Sequence, residues 1–158
     1  MTPYETAITA LADALETKLE VASDRLCDVE VDGRLVVLRP LGEAETSIMM
    51  FALVAGVPDD GTLSAAVKDR ALSMSLFGTE THGGHLGLFG KSIILSAPAM
   101  EATGLAAESF AERLLAFSQF AGEVEKMLAD AGSSSAEGEM ADGAAPTSTP
   151  ESEDFIKV

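Results

Sequence analysis

Apolar residues recur at spacings of three and four near the start of the chain, where Ile8, Leu11, Leu15 and Leu19 fall on one side of a helix. The spacing predicts a helix from about Pro3 to Ala22, and Thr2-Pro3 supplies a cap followed by proline at the first helical position. The period then changes to two. Cys27, Val29 and Val31 alternate with Asp28, Glu30 and Asp32, which predicts a strand with one apolar face, and Asp32-Gly33 is the dipeptide a type I′ hairpin turn requires. The returning strand is predicted over Arg34 to Arg39, stopped by Pro40. A third strand follows from about Thr46 to Ala55, so rich in Ile, Met, Phe, Leu and Val that it reads as buried on both faces and central.

Asp59-Asp60-Gly61-Thr62 supplies turn and capping chemistry for a second helix with apolar positions Leu63, Val67, Ala71 and Met74 and Gly78 past its end. Leu72 and Leu76 lie off that stripe, so this helix either sits deep in a core or has a second surface to cover. A second hairpin reads His85 to Phe89, Gly90-Lys91, then Ser92 to Ser96. The last helix, from about Ala106 to Ala131, carries the stripe Phe110, Leu114, Phe117, Ala121, Val124 and Leu128. The order is α-β-β-β-α-β-β-α, an α+β fold in which short links favour an antiparallel twisted sheet packed by helices.

From Gly132 the composition shifts to Gly, Ala, Ser, Thr, Pro and acid, which predicts one folded domain over residues 1–131 and a disordered acidic tail over 132–158. The tail closes on Phe155-Ile156-Lys157-Val158, readable as a short docking motif or as an incidental apolar group.

Charge narrows the partners. Ten Lys and Arg against 26 Asp and Glu give a net charge of −16, and no basic cluster interrupts the acidic background. Nucleic acid and anionic membrane surfaces are therefore repelled, since both are bound by neutralising phosphate. The longest apolar stretch, Ile48 to Val57, is far short of the roughly 20 residues that span a bilayer. No secretory signal opens the chain, and the single cysteine, Cys27, cannot form an internal disulfide, so a cytoplasmic, reducing setting is expected with Cys27 as a small buried hydrophobe.

Catalytic chemistry finds no foothold. Thr81-His82-Gly83-Gly84-His85 places two histidines three apart in a glycine-rich loop, but a metal needs more ligands and Glu80 is the only neighbour of that kind. The glycines match no phosphate-binding pattern. Paired acids such as Asp59-Asp60 and Glu123/Glu125 read as capping and as a solvated helix face. No enzyme, cofactor or metal is expected.

From Leu76 onward the chain resembles the Tir chaperone family, the class I chaperones of type III secretion. The residues that carry the resemblance are Leu76-Phe77-Gly78, the loop through Gly83-Gly84, the hairpin Leu86-Gly87-Leu88, the strand Ile93-Ile94-Leu95 and the final helix with Phe110, Leu114, Phe117 and Ala121. It extends over roughly Tyr4 to Ala131. The resemblance implies a homodimer that binds the extended N-terminal segment of a secreted effector or translocation-associated protein, keeps it competent for secretion and delivers it to the export apparatus, with the secretion ATPase as a further contact. It implies a dimer interface at Leu72, Leu76 and Phe89. It implies partner-binding surface at Ile8, Leu11 and Leu15 on the first helix and at Val29, Val31, Val37, Met49 and Phe51 on the sheet. The chain departs from the family in lacking tryptophan and in its long acidic tail, which leaves room for self-masking of the groove.

A related α+β dimeric module of the YbjN-like kind, binding protein or ligand outside secretion, is the alternative reading. Type III secretion genes beside this one would separate the two.

Overall fold

The computed structural model describes residues 1–57, 61–76 and 78–139. Helix α1 is Pro3–Ala14. Its start is the predicted one: the Thr2 hydroxyl accepts the Glu5 amide at 3.2 Å while the Glu5 carboxylate accepts the Thr2 amide at 2.8 Å, a reciprocal capping box. Its end comes eight residues before the expected Ala22. The last turn holds no base to complement the helix dipole, and Glu16 takes a left-handed φ of 50°, letting the Thr17 amide close back on the Ala12 carbonyl. Leu15 is left at the helix end, and Leu19 reaches the core from the following loop.

That loop is fastened by Arg25. Its guanidinium bonds Glu5 at 2.8 Å and holds Glu45 through two nitrogens, one at 2.8 Å, so one side chain ties the start of α1 to the turn after the second strand.

Strands β1 (Cys27–Val31) and β2 (Arg34–Leu41) form the predicted hairpin, with Asp32 at φ 51° and Gly33 at φ 75° as a type I′ turn demands. Pro40 does not stop β2. The β1 pairing ends at Cys27 opposite Leu38, so Pro40 already lies where β2 is an edge, and its missing amide leaves no neighbouring carbonyl unpaired. Strand β3 (Ser47–Ala55) is followed by helix α2 (Ala65–Leu76). Ser64 rather than Thr62 caps α2, its hydroxyl taking the Val67 amide at 3.3 Å, while Asp59-Asp60 lies outside the described residues.

Strands β4 (His85–Phe89) and β5 (Ser92–Ser96) have the expected bounds. A short β6 (Met100–Glu101), not anticipated, continues beside the first residues of β3. All pairings are antiparallel, in the order β1-β2-β3-β5-β4, so β3 is central as predicted.

Helix α3 (Ala107–Glu139) lays its predicted stripe across the sheet, with Phe110, Leu114, Phe117, Ala121, Val124 and Leu128 all buried. It does not stop at Gly132. There the lack of a side chain serves close packing instead, since an added Cβ would stand 3.1 Å from a Val67 methyl, and the helix continues eight residues past the expected boundary through Ala, Ser and Glu. The rest of the expected tail, with Phe155–Val158, lies outside the described residues.

Candidate partner-binding surfaces

Register assigns every strand residue to one of two faces. Toward the helices point Cys27 and Val29 of β1, Val36 and Leu38 of β2, Ile48, Met50, Ala52 and Val54 of β3, and Ile93 and Leu95 of β5, all buried. Tyr4 of α1 belongs to this core and donates its hydroxyl to the Leu38 carbonyl at 3.0 Å; burial pushes the Tyr4 phenol well above its usual range. Burial likewise raises the Cys27 thiol to about 11, so it stays protonated and behaves as packing.

The opposite face is not buried, which corrects the expectation for β3. Leu35 and Leu53 are each 53% exposed, and Val37, Met49, Phe51 and Ile94 are half-buried. The pairs Val37–Phe51 and Leu53–Ile94 join these residues into one apolar band across β2, β3 and β5. Asp28 and Glu30 flank it on β1, opposite Val37 and Leu35, and exposed Arg39 stands at its other end opposite Met49.

The proposed partner-binding residues therefore divide. Val37, Met49 and Phe51 lie together on the open band. Ile8, Leu11 and Val29 are in the core, at 2%, 0% and 2% exposure, and have no surface to offer a partner. Val31 is half-buried on the helix side of β1, where its carbonyl accepts the Ser118 hydroxyl at 3.1 Å, and Leu15 is exposed at the end of α1. Leu35, Leu53 and Ile94 were missed, although Leu35 and Leu53 stand two positions from Val37 and Phe51 and so share their face.

A second apolar surface lies at the far edge of the sheet. Leu72 and Leu76 are 70% and 73% exposed on α2, and Leu88 and Phe89 are 67% and 75% exposed on β4. Helix and strand are joined where the Leu86 amide donates to the Ser75 hydroxyl at 3.3 Å. Leu88, opposite buried Ile93, shares the α2 side of β4, whereas Phe89, opposite Ser92, lies on the other side. A contact using all four residues wraps the β4 edge. Leu88 was the residue missed here.

The two loop histidines do not converge. His82 stacks on Phe120 of α3 with ring centroids 4.3 Å apart, while His85 begins β4 on the open side, opposite Ser96. Gly84 packs so tightly that a Cβ would overlap the Ser96 carbonyl, and the Thr81 hydroxyl donates to the Gly84 carbonyl at 2.7 Å, which folds this loop against the sheet. Beside it lies a cavity of about 160 Å³ lined by residues including His82, Pro98, Phe117 and Phe120, below the several hundred Å³ of a typical cofactor site. Among the described residues, no group of three or more His, Cys, Asp or Glu could hold a metal ion, and no helix is long and apolar enough to cross a membrane.

The sequence profile of the Tir chaperone protein (CesT) family matches residues 6–121. No curated protein matches the chain. Solved structures share the fold, three of them as follows. The ExsC–ExsE complex aligns with TM-score 0.64 and 19% identity over 81% of this chain and 97% of that one. The HopA1–SchA chaperone–effector complex aligns with TM-score 0.60 and 14% identity over 78% and 94%. The Yersinia pestis type III secretion chaperone SycH, in complex with a stable fragment of YscM2, aligns with TM-score 0.55 and 17% identity over 77% and 98%.

Proposed function

Because the chain belongs to the Tir chaperone protein family, we propose that it is a type III secretion chaperone, acting by binding rather than by catalysis. Its client is the extended N-terminal segment of a secreted effector or translocation-associated protein, which it keeps competent for secretion and hands to the export apparatus, with the secretion ATPase as the contact at hand-over. The observation that carries this reading is the uncovered apolar band Leu35, Val37, Met49, Phe51, Leu53 and Ile94. An extended chain can fill such a band with alternate side chains, and the β1 edge offers main-chain hydrogen bonds beside it. The chaperone works as a homodimer through Leu72, Leu76, Leu88 and Phe89.

Calorimetric titration with the N-terminal segment of a secreted protein encoded nearby tests the reading. Binding should change little between low and high salt, because the contact is apolar rather than charge-steered. Phe51→Asp and Leu53→Asp should each weaken it about tenfold or more, roughly 1.4 kcal/mol, with the fold retained by circular dichroism. The reading fails if no unfolded segment binds, or if binding survives both substitutions and vanishes at high salt.

A further inference from the structure

Beyond Met140 the chain is poor in large apolar side chains, and the three it has stand together as Phe155, Ile156 and Val158. Glu151, Glu153 and Asp154 come just before them, and Lys157 lies among them. Read in order, the segment is acidic, then apolar, then basic. The open sheet face runs the other way in charge: Arg39 at one end, then Val37 and Phe51 with Asp28 beside Val37 on β1, then Leu35 with Glu30 beside it. The scales also agree. Arg39 and Leu35 are four strand residues apart, about 13 Å, and Asp154 to Lys157 spans about 10 Å when extended.

The tether is long enough. Helix α3 passes Arg34 at the turn end of the β1–β2 hairpin, where the Arg34 guanidinium bonds Glu125 at 2.6 Å, and it ends at Glu139. The 15 residues from there to Asp154 reach up to about 50 Å, more than the run of α3 from Glu125 to Glu139, about 21 Å, taken together with the roughly 20 Å width of a sheet five strands across. A tether of this kind presents the segment to its own domain at an effective concentration on the order of 1 mM, so even a weak contact is populated.

We infer that residues 153–158 dock on the open sheet face of their own chain as a client mimic, with Glu153 and Asp154 at Arg39, Phe155 and Ile156 on Val37 and Phe51, and Lys157 toward Glu30. The inference rests on the chaperone reading for its purpose. A face filled by its own chain is shielded between clients, and a client binds by displacing it, with an apparent affinity reduced by the fraction of chains whose face is free.

A spin label at residue 152, introduced by Ser152→Cys in the full chain, reads the contact directly, since buried Cys27 with its raised thiol pKa resists labelling. The amide signals of Val37, Arg39 and Phe51 should broaden relative to the reduced label. The broadening should vanish in Phe155→Asp/Ile156→Asp, fall in Arg39→Glu and return when Arg39→Glu is joined to Asp154→Lys. Without the label, Phe155→Asp/Ile156→Asp should bind the client segment about threefold more tightly or better. The inference is overturned if the broadening is absent, if it survives Phe155→Asp/Ile156→Asp, if it passes only between copies when spin-labelled and isotope-labelled chains are mixed, or if client affinity is the same with and without the double substitution. The broadening needs no client, so its absence leaves the chaperone reading standing. A chain that shows it yet binds no client refutes that reading alone.

Discussion

The two faces of the sheet are made from the same strands and the same kinds of residue, yet they meet different fates. On one, Val36, Leu38, Met50, Ala52 and Leu95 disappear under α1 and α3. On the other, Leu35, Val37, Phe51, Leu53 and Ile94 keep part of their surface in water. Among the described residues the three helices gather on one side of the six-stranded sheet and leave the other side open. The difference teaches that burial is decided by a single residue of strand register, so adjacent positions such as Leu38 and Val37 meet different surroundings.

Truncating the covered side should give the largest effect. Leu38→Ala opens a cavity in a site with no exposure and should cost about 2–5 kcal/mol, lowering the thermal midpoint on the order of 10 °C. Leu53→Ala on the open side should move it by no more than about 3 °C by differential scanning calorimetry. Equal losses at the two sites would erase the distinction between the faces.

The edge patch sharpens the comparison by adding a third surface. Leu72→Asp/Leu76→Asp places charges where a homodimer would be dry, at a cost of several kcal/mol, and light scattering should then report monomer that still binds a client segment. A full dimer in that variant would move the interface elsewhere.

A smaller effect follows from acid. Hydrogen bonds from Arg25 hold the Glu5 carboxyl below its ordinary value of 4.5, and hydrogen bonds from Arg25 and Thr2 do the same for Glu45. A carboxylate depressed by folding stabilises above its ordinary value and loses that contribution as pH falls through the folded one. Stability should therefore decline below about pH 4.5, and Arg25→Gln should flatten the decline in urea titrations. Hydrogen exchange should show α1 loosening on the covered side while the band strands hold.

The smallest effect is expected from the tail. Removing residues 140–158 should leave the thermal midpoint within about 2 °C, because the excised stretch has little apolar content with which to add to the covered side. A larger fall would mean that the tail contributes to the fold.

Much of this arrangement was legible in the residues themselves. Asp32-Gly33 announces its hairpin because few dipeptides accept two consecutive positive φ values, and the α3 stripe is long enough that chance cannot mimic it. The end of α1 was hidden, since Leu15 and Leu19 keep helical spacing across a break that no glycine or proline marks. The helix boundary at Gly132 misled for the converse reason: a residue that usually ends helices is used here for close approach to Val67. The site was only half visible. Periodicity says which residues share a face, as Val29 with Val31 or Val37 with Leu35, but what covers that face is decided by helices distant in sequence. Ile8, Leu11 and Val29 were thus indistinguishable from surface until the helices were in place.

Pro40 has a bearing on how such a protein survives at high concentration. A domain that leaves apolar sheet exposed beside a free strand edge is at risk of stacking into fibrils, and the short run where β2 outlasts β1 is the natural seed. An imino acid there cannot donate to an incoming strand, so edge-to-edge growth is blocked at that position while β1, a few residues away, keeps its hydrogen-bonding groups.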